Sequence, residues 1–277
     1  MTLTSDTRDR SSVQSVDRAV RILTALAGDP YPVGVAELAS RLQLSTTSVH
    51  RMLTTLAGLG WVEQNTRTSR YRLGTRFLSA GAAGLVTHPL VHYGRHFLER
   101  LSEITGFDTF LSTLVGGHVV YLAKIDGDNG LGNAFEPGVS LPAHSMATGK
   151  LLLAYTTRQA RDELYKAGLE PYAKGTITDP EQLEVELATI LKQGYALDRG
   201  ERFDYSRAMA VPVLGSDSRP LIGMSCVGPA ENMQLTDEYV AWLAQVMKSL
   251  ALEMADHLTI LGDLPKVNLD APHYNLW

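Results

Sequence analysis

The feature that most constrains this fold is a pair of short amphipathic segments joined by a tight connection within residues 34–56. Apolar residues at helical spacing define both segments: Val35, Leu38, Ala39 and Leu42 in the first, and Val49, Met52, Leu53 and Leu56 in the second. The connection falls at residues 43–45, where Ser45 is a good N-cap for the second helix. Two helices joined this closely predict a helix-turn-helix.

Flanking elements extend this pair to a winged helix-turn-helix over residues 13–74. Residues 15–27 repeat apolar side chains at helical spacing until Gly28, Asp29 and Pro30 end the pattern, which predicts a scaffold helix. Beyond the pair, residues 61–64 and 70–73 are typical of two strands around a polar turn and predict a hairpin wing. Residues 1–12 are polar and are expected to form a disordered tail.

The face of the second helix opposite its apolar stripe is predicted to contact DNA. In a helix-turn-helix this helix enters the major groove, where arginine bonds guanine and hydroxyl side chains bond bases or phosphates. The predicted DNA-binding residues are Thr46, Thr47, Ser48, His50, Arg51 and Thr54 on the helix, with Arg67 and Arg70 on the wing. Arg72 of the wing also suits phosphates. The alternative is a merely solvated polar face, or a helical protein-interaction module.

Charge distribution favours a nucleic-acid partner for the first part of the chain. The 277 residues have a formal net charge of −5, but residues 1–85 carry ten arginines, no lysine and six acids, a net of +4. Residues 86–277 carry a net of −9. A basic head on an acidic body fits a DNA-binding domain attached to a domain of another function.

Cysteine usage and hydropathy indicate a soluble protein of the reducing cytoplasm. Cys226 is the only cysteine, which excludes an intramolecular disulfide and a cysteine-rich zinc site. It is expected to be a buried small hydrophobe rather than a nucleophile. The N-terminus has no apolar h-region and no apolar run approaches the length of a membrane span, so neither a signal peptide nor a transmembrane helix is expected.

A second domain of helices and strands is predicted over residues 89–262, after a linker helix at 75–88. Pro89 opens a helix that extends to Thr105, and residues 107–126 alternate in β fashion around Gly116 and Gly117, which indicates a hairpin. Further helices are expected at 141–155, 178–194 and 236–261, and strands at 207–215 and 220–228. These elements predict the α+β class with an antiparallel sheet. Residues 263–277 are expected to form an irregular tail, and no function is assigned to them.

A polar loop that leads into a helix, LPAHSMATGK at 141–150, is the candidate ligand site. His144 and Ser145 precede the helix, whose free N–H groups and dipole favour an anion such as a carboxylate. The alternative is that Ser145 merely caps the helix and that the small residues Ala147, Thr148 and Gly149 allow close packing. Both interpretations remain open at this stage.

No catalytic residue, metal site or cofactor is predicted. Three histidines are spaced four apart, at His88, His92 and His96. Because His88 precedes Pro89 and no HExxH motif is present, a solvated or interface face is preferred to a metal site. Ser225 is not in a nucleophile elbow, since Val227 replaces the last glycine of that motif. The alternative function is an enzyme that binds or hydrolyses a metabolite and uses its N-terminal module for assembly.

Several separated motifs resemble the IclR family of bacterial transcriptional regulators. They are VQSVDRAVRILTALA, AELASRLQLSTTSVHRMLTTLAGLGWV, YRLG, GVSLPAHSMATGKLLLAY, GYALDRGERFDYSRAMAVPV and GMSCVGP. The resemblance spans about residues 13–261 and implies a winged helix-turn-helix, a linker helix and a C-terminal effector-binding, GAF-like domain on a curved antiparallel sheet. It also implies dimers or dimers of dimers on pseudopalindromic operators. A repressor is the commoner expectation, with an activator left open.

The same resemblance implies an effector site in the C-terminal domain. In similar family members the ligand is contacted from the helix start, from the Asp of a GYxxD segment and from two strands. Carried over to this sequence, these positions are Ala147, Thr148, Asp198, Ala208, Ser225 and Val227. Ala208 replaces a frequent cysteine, and Val227 replaces a polar residue of members that bind small oxo-acids. These departures favour a larger hydrophobic or aromatic carboxylate as effector.

Overall fold

The computed structural model describes residues 13–132 and 135–260 and has an α+β fold. The described chain divides into two compact units, with the boundary between Gly84 and Leu85. One hydrophobic core belongs to the first unit and two belong to the second. The tails predicted at 1–12 and 263–277 lie outside the described residues.

The first unit is a winged helix-turn-helix. Its elements are α1 Gln14–Ala27, α2 Val35–Leu42, α3 Thr46–Gly58, β1 Val62–Gln64 and β2 Tyr71–Leu73. The two strands are antiparallel, with Glu63 opposite Arg72. Ile22, Leu38 and Leu53, one from each helix, are fully buried in a shared core. The three predicted helices and the wing are therefore confirmed.

The joint between α2 and α3 is closed by local hydrogen bonds. Gln43 has a left-handed backbone, with φ 53° and ψ 43°, and the N–H of Leu44 donates to Ala39 O at 2.9 Å. This is the Schellman pattern of helix ends. Ser45 Oγ accepts from the N–H of Ser48 at 3.2 Å and caps α3 as predicted. Both ends are satisfied within the turn, which fixes the direction in which α3 leaves it.

The second unit is a six-stranded antiparallel sheet with helices on both faces. Helix α4, Thr75–Thr87, contains the boundary between the units. The elements that follow are α5 Pro89–Thr105, β3 Asp108–Val115, β4 His118–Ile125, β5 Ser140–Pro142, a 3-10 turn Ala143–Ser145, α6 Ala147–Ala154, α7 Arg158–Ala167, α8 Pro180–Gln193, β6 Ala196–Asp198, β7 Ser206–Leu214, β8 Pro220–Pro229 and α9 Asp237–Ile260. The strand order is β5-β4-β3-β8-β7-β6. The hairpin between β3 and β4 turns at Gly116 and Gly117, which both have positive φ.

The two faces of the sheet bury different side chains, because successive residues of a strand point to opposite sides. Met209, Val211 and Val213 of β7 pack with α5 and α9 in one core. Ala208 and Ala210 of the same strand point to the other side and pack with α6 and α8. We call this second side the α6 face.

One local prediction differs from the structure, and two elements of the structure were not predicted. The helix predicted over 141–155 is shorter, because β5 and the 3-10 turn precede α6, which begins at Ala147. Sequence periodicity does not indicate α7, a highly polar helix in which Leu164 is the buried residue. It also does not indicate β6, which has three residues. Within residues 13–132 and 135–260, no helix combines the length and the hydropathy that crossing a bilayer requires.

Candidate functional sites

The face of α3 that the sequence associates with DNA is open to solvent. Exposed positions are Thr46, Thr47, His50, Arg51 and Thr54, and Ser48 is half-buried. Thr54 Oγ1 donates to His50 O at 2.9 Å, so its oxygen is still able to accept. Among the described residues, the Arg51 guanidinium has no hydrogen-bond or ion-pair partner. The helix therefore presents one unpaired cation among short polar side chains.

A groove between α1 and α3 runs beside this face. Its volume is 610 Å³, and its lining includes Arg18 of α1 with Ser48, Arg51 and Thr55 of α3. Arg18, like Arg51, is unpaired within the part of the chain that the structure describes. Two unpaired guanidinium groups make the groove positively charged, which suits a phosphate backbone.

The wing arginines differ in how they are held. Arg67 is exposed, and its side chain contacts no acceptor among residues 13–132 and 135–260. Arg70 donates to Glu37 Oε2 at 2.9 Å and to Pro32 O at 2.6 Å. Arg72 bonds the carboxylate of Glu63, with the shorter contact at 3.0 Å. Surface ion pairs of this kind are weak, so Arg70 and Arg72 could leave their partners to bind DNA. Arg67 has no such partner to leave.

The centre of the α6 face is lined by small residues. They are Ala196 of β6, Ala208 and Ala210 of β7, and Gly223 and Ser225 of β8. On the opposite face, the same strands carry large apolar side chains such as Met209 and Met224. Small side chains therefore allow α6 to approach the sheet closely on the α6 face, where the resemblance places the effector.

Cross-strand pairing brings the predicted effector residues of the sheet together. Asp198 pairs with Ala208, and Ala208 pairs with Val227. These three residues form one row across β6, β7 and β8, and neighbouring strands lie about 4.8 Å apart. Ser225 lies in the next row, opposite Ala210. All four predicted residues are buried on the same side of one sheet.

The first turn of α6 covers this patch. A Cβ atom at Gly223 would lie 2.4 Å from Thr148 Cγ2, so Thr148 rests against β8. A Cβ atom at Gly149 would lie 2.0 Å from Ala143 O, so the 3-10 turn crosses the start of α6 at close range. Ala147 is buried in the same core. The structure thus brings Ala147 and Thr148 to the sheet residues that the sequence grouped with them.

The start of α6 has no side-chain cap. Ser145 Oγ donates to Pro142 O at 3.0 Å, so the capping interpretation of Ser145 is wrong. The close packing proposed for the small residues of this segment is present at Gly149. Because no side chain caps the first turn, its backbone N–H groups can donate hydrogen bonds to an oxygen of a ligand.

Buried charged groups lie beside the Asp198 row. Asp198 Oδ1 accepts from the N–H groups of Gly200 at 2.9 Å and Glu201 at 2.7 Å. Lys150 of α6, 1% exposed, pairs with Glu201 Oε1 at 2.6 Å and Glu186 Oε1 at 3.1 Å. Burial raises the pKa of Glu201 to about 7. Burial also raises the pKa of Asp198, against its two backbone hydrogen bonds. Lys150 is therefore paired within this cluster, while Glu201 Oε2 is buried without a hydrogen-bond partner among the described residues.

The histidines and the cysteine do not form a reactive centre. His88 is the N-cap of α5, while His92 and His96 are exposed. No three His, Cys, Asp or Glu residues of the described chain are arranged to hold a metal ion. Cys226 is fully buried, and burial raises the pKa of its thiol to about 12. A thiolate nucleophile is disfavoured there.

Two family models match the chain, one at each end. Residues 15–66 match the IclR helix-turn-helix domain, and residues 82–255 match the bacterial transcriptional regulator IclR C-terminal domain. The chain belongs to the IclR family. Its N-terminal match is a DNA-binding domain type, and its C-terminal match includes every predicted effector residue.

This IclR-family chain is similar to named regulators along most of its length. It is 30% identical over 248 residues to the HTH-type transcriptional regulator BhcR of Paracoccus denitrificans, covering 89% of this chain and 88% of the relative. It is 30% identical over 249 residues to KdgR of Escherichia coli, covering 89% and 94%. These relatives are transcriptional regulators and not enzymes, which agrees with the predicted class and disfavours the enzyme alternative.

Solved structures of the IclR type have the same fold. An IclR transcriptional regulator from Alicyclobacillus acidocaldarius is 26% identical, with a TM-score of 0.69 over 88% of this chain and 98% of that chain. An IclR homologue from Microbacterium hydrocarbonoxydans, complexed with 4-hydroxybenzoate, is 22% identical, with a TM-score of 0.65 over 89% and 99%. The predicted fold class is confirmed.

Sequence reasoning missed the charged groups around the effector patch. Lys150 and Glu201 form the buried pair, and Arg202 follows Glu201 in the loop between β6 and β7. One signal was present, because Lys150 is the single charged residue of α6, whose residues are all buried. Arg202 gave no such signal, since an arginine in a polar loop is usually solvated.

Proposed function

We propose that this IclR-family regulator is a repressor whose operator binding is released by a small hydrophobic or aromatic carboxylate. The effector occupies the α6 face of the sheet, against Ala147, Thr148 and the row formed by Asp198, Ala208 and Val227. Binding of the effector shifts the equilibrium between two spatial arrangements of the DNA-binding units, only one of which fits the operator. The size of that shift is limited by the difference in effector affinity between the arrangements.

DNA recognition by α3 and the wing is supported by their exposed polar groups. Arg51 is suited to a guanine edge, and Arg67 is suited to phosphate or the minor groove. The net charge of +4 over residues 1–85 supports the same partner. Because that partner is DNA, we place the protein in the cytoplasm.

Binding to paired half-sites requires two copies of the helix-turn-helix. Val16 and Val20 of α1, with its N-cap Val13, form an exposed apolar stripe, at 59%, 48% and 62% exposure. A stripe at this spacing is the kind of surface that a second copy covers. We therefore propose a homodimer, or a dimer of dimers, on a pseudopalindromic operator.

The observation that carries the effector proposal is the small-residue patch beneath α6. Residues as distant in sequence as Ala147 and Val227 meet there, and the alanines of β6 and β7 leave an apolar floor. An apolar floor with few side-chain donors suits a hydrophobic body better than a two- or three-carbon acid. The compound held by the Microbacterium homologue, 4-hydroxybenzoate, is a natural first probe.

The proposed function is tested by isolating an operator from a random-sequence duplex pool with the full-length protein. Arg51→Ala is expected to lose that operator while it keeps any acid-induced rise in melting temperature. Recovery of no enriched sequence would count against the regulator. Chemical turnover of the acid probes by both the protein and Arg51→Ala would favour the enzyme alternative.

A further inference from the structure

Arg202, in the loop between β6 and β7, has a guanidinium that forms no hydrogen bond or ion pair with the described residues. Its Nε and Nη1 atoms are buried, yet neither has a hydrogen-bond acceptor within the described chain. Buried N–H groups of a charged side chain are costly to leave unsatisfied. A guanidinium in this state is therefore complementary to an acceptor that residues 13–132 and 135–260 do not supply.

Aromatic stacking holds Arg202 in place. The guanidinium carbon lies 3.7 Å from the ring centroid of Tyr172. The Tyr172 ring lies 5.8 Å from the His144 ring, in the 3-10 turn before α6. Stacking fixes the plane of the guanidinium while its N–H groups, which lie in that plane, remain free to donate. Tyr172 thus contacts both Arg202 and His144, which lies in the turn that precedes α6.

His144 does not compete with Arg202 as a donor. Its Nε2 lies 2.9 Å from Glu170 O, and because a carbonyl only accepts, Nε2 carries the proton. Burial, with the nearby charge of Arg202, lowers the pKa of His144, so the ring is neutral and Nδ1 is an acceptor. Nδ1 is also buried, and no described residue bonds to it. The two side chains therefore offer a cationic donor and a neutral acceptor.

The nearby acids are not bonded to Arg202, although Glu201 Oε2 is buried without a partner among the described residues. Glu201 pairs with Lys150, and Asp198 Oδ1 accepts two backbone N–H groups. No carboxylate among residues 13–132 and 135–260 pairs with Arg202. The described residues therefore supply no hydrogen-bond acceptor for the buried N–H groups of Arg202.

A series of aromatic rings connects Arg202 with the effector patch. Phe203 lies next to it in sequence and packs against Phe135 at 5.5 Å between centroids. Phe135 packs in turn against Tyr121 at 5.7 Å and Phe110 at 6.1 Å. Phe110 is the cross-strand partner of Ser225 on the α6 face. These rings form a continuous aromatic cluster that extends from Phe203, beside Arg202, to the strand that carries Phe110.

We propose that Arg202 binds the carboxylate of the effector, with the hydrophobic body of the effector against Phe203 and Phe135. This inference rests on the proposed function, and it adds the residue that selects acids over neutral compounds. The ligand class is a monocarboxylic acid with an aromatic or comparably bulky apolar body. A charge-assisted bond from guanidinium to carboxylate is the interaction that a neutral isostere cannot reproduce.

The test compares three full-length proteins by calorimetric titration: wild type, Arg202→Gln and Arg219→Gln. Arg219 lies in the exposed turn between β7 and β8, so its replacement removes the same charge away from the proposed contact. The probes are benzoate, 4-hydroxybenzoate, phenylacetate and hexanoate, each paired with its amide. Melting temperatures without ligand show whether each variant is folded.

The proposal predicts that at least one acid binds wild type and Arg219→Gln, with its amide much weaker. Binding of that acid to Arg202→Gln is expected to be about tenfold to a hundredfold weaker. Equal binding to Arg202→Gln, equal binding of acid and amide, or no binding of any acid to wild type would each overturn it.

A separate readout distinguishes failure of this inference from failure of the proposed function. If an acid releases the operator equally from wild type and Arg202→Gln, the proposed function stands and the role of Arg202 fails. If the acid binds through Arg202 but leaves operator affinity unchanged, the site stands and the proposed effector control fails.

Discussion

Thr148 of α6 rests on Gly223 of β8 so closely that a Cβ atom at position 223 would lie 2.4 Å from Thr148 Cγ2. This contact sets the distance between α6 and the sheet at the patch where we place the effector. Any side chain at position 223 must displace Thr148, and α6 moves with it. The absence of a side chain at Gly223 therefore defines the geometry of the site.

Gly223→Ala is expected to lower the free energy of unfolding by about 1–3 kcal/mol, the usual cost of overpacking a core. It is also expected to weaken binding of acid probes, because Thr148 is a proposed effector contact. Chemical denaturation and calorimetry measure the two effects. Gly81→Ala is a suitable control, since a Cβ atom there meets nothing within 4 Å. Unchanged stability and affinity in Gly223→Ala would mean that α6 does not depend on this contact.

Arg51 and Arg67 are expected to contribute differently to operator binding. Arg51→Ala removes a candidate base contact, so it should cost about 1–3 kcal/mol and relax sequence preference. Arg67→Ala removes a candidate phosphate contact, so it should weaken all sequences similarly and reduce the slope of log K against log salt by about 1. Fluorescence anisotropy at several salt concentrations measures both. Arg95→Ala, on the exposed side of α5, is the matched control. Identical behaviour of the two variants would contradict these roles.

The winged helix-turn-helix could be predicted from the sequence because its information is local. Ser45 caps α3 in the structure as expected, and apolar spacing located the three helices. The effector patch could not be found in that way, because Thr148, Asp198 and Val227 meet only through strand register. The family resemblance, not periodicity, grouped them in advance.

Sequence periodicity did not predict the parts of the structure that depend on side-chain hydrogen bonds or on short elements. Ser145 donates to Pro142 instead of capping α6, and no spacing rule distinguishes the two outcomes. The importance of Arg202 depends on what is missing around its N–H groups, which only three-dimensional packing shows. Polar α7 is held by its contacts, such as the bond from Arg161 Nε to Glu184 Oε1 at 2.8 Å.

Lys150→Met is expected to destabilise the protein strongly at pH 8. Lys150 is 1% exposed and faces two carboxylates, so its removal leaves buried negative charge at a cost of about 3–5 kcal/mol. The double variant Lys150→Met with Glu201→Gln should recover part of that loss in a double-mutant cycle. Lys166→Met, which breaks an exposed pair, is expected to leave stability nearly unchanged. A Lys150→Met protein as stable as Lys166→Met would contradict the buried pair.

The stability of the second unit should depend on pH through Glu201. Burial raises its pKa from 4.5 to about 7, so between these values the folded protein retains a proton that the unfolded chain releases. The contribution of Glu201 to the free energy of unfolding therefore falls as pH rises from about 4.5 to about 7. Glu201→Gln lacks this contribution. The stability of wild type minus that of Glu201→Gln should decrease across this window. A difference independent of pH would show that Glu201 has an ordinary pKa.

The most direct test of the account is the operator dissociation constant, measured by anisotropy without acid and at saturating acid. It uses wild type and Ala208→Leu, whose larger side chain fills the small-residue patch, and melting temperatures verify that both are folded. The account predicts weaker operator binding by wild type when acid is present, and no response from Ala208→Leu despite intact DNA binding. An operator affinity that the bound acid does not change in wild type, or an undiminished response in Ala208→Leu, would contradict it.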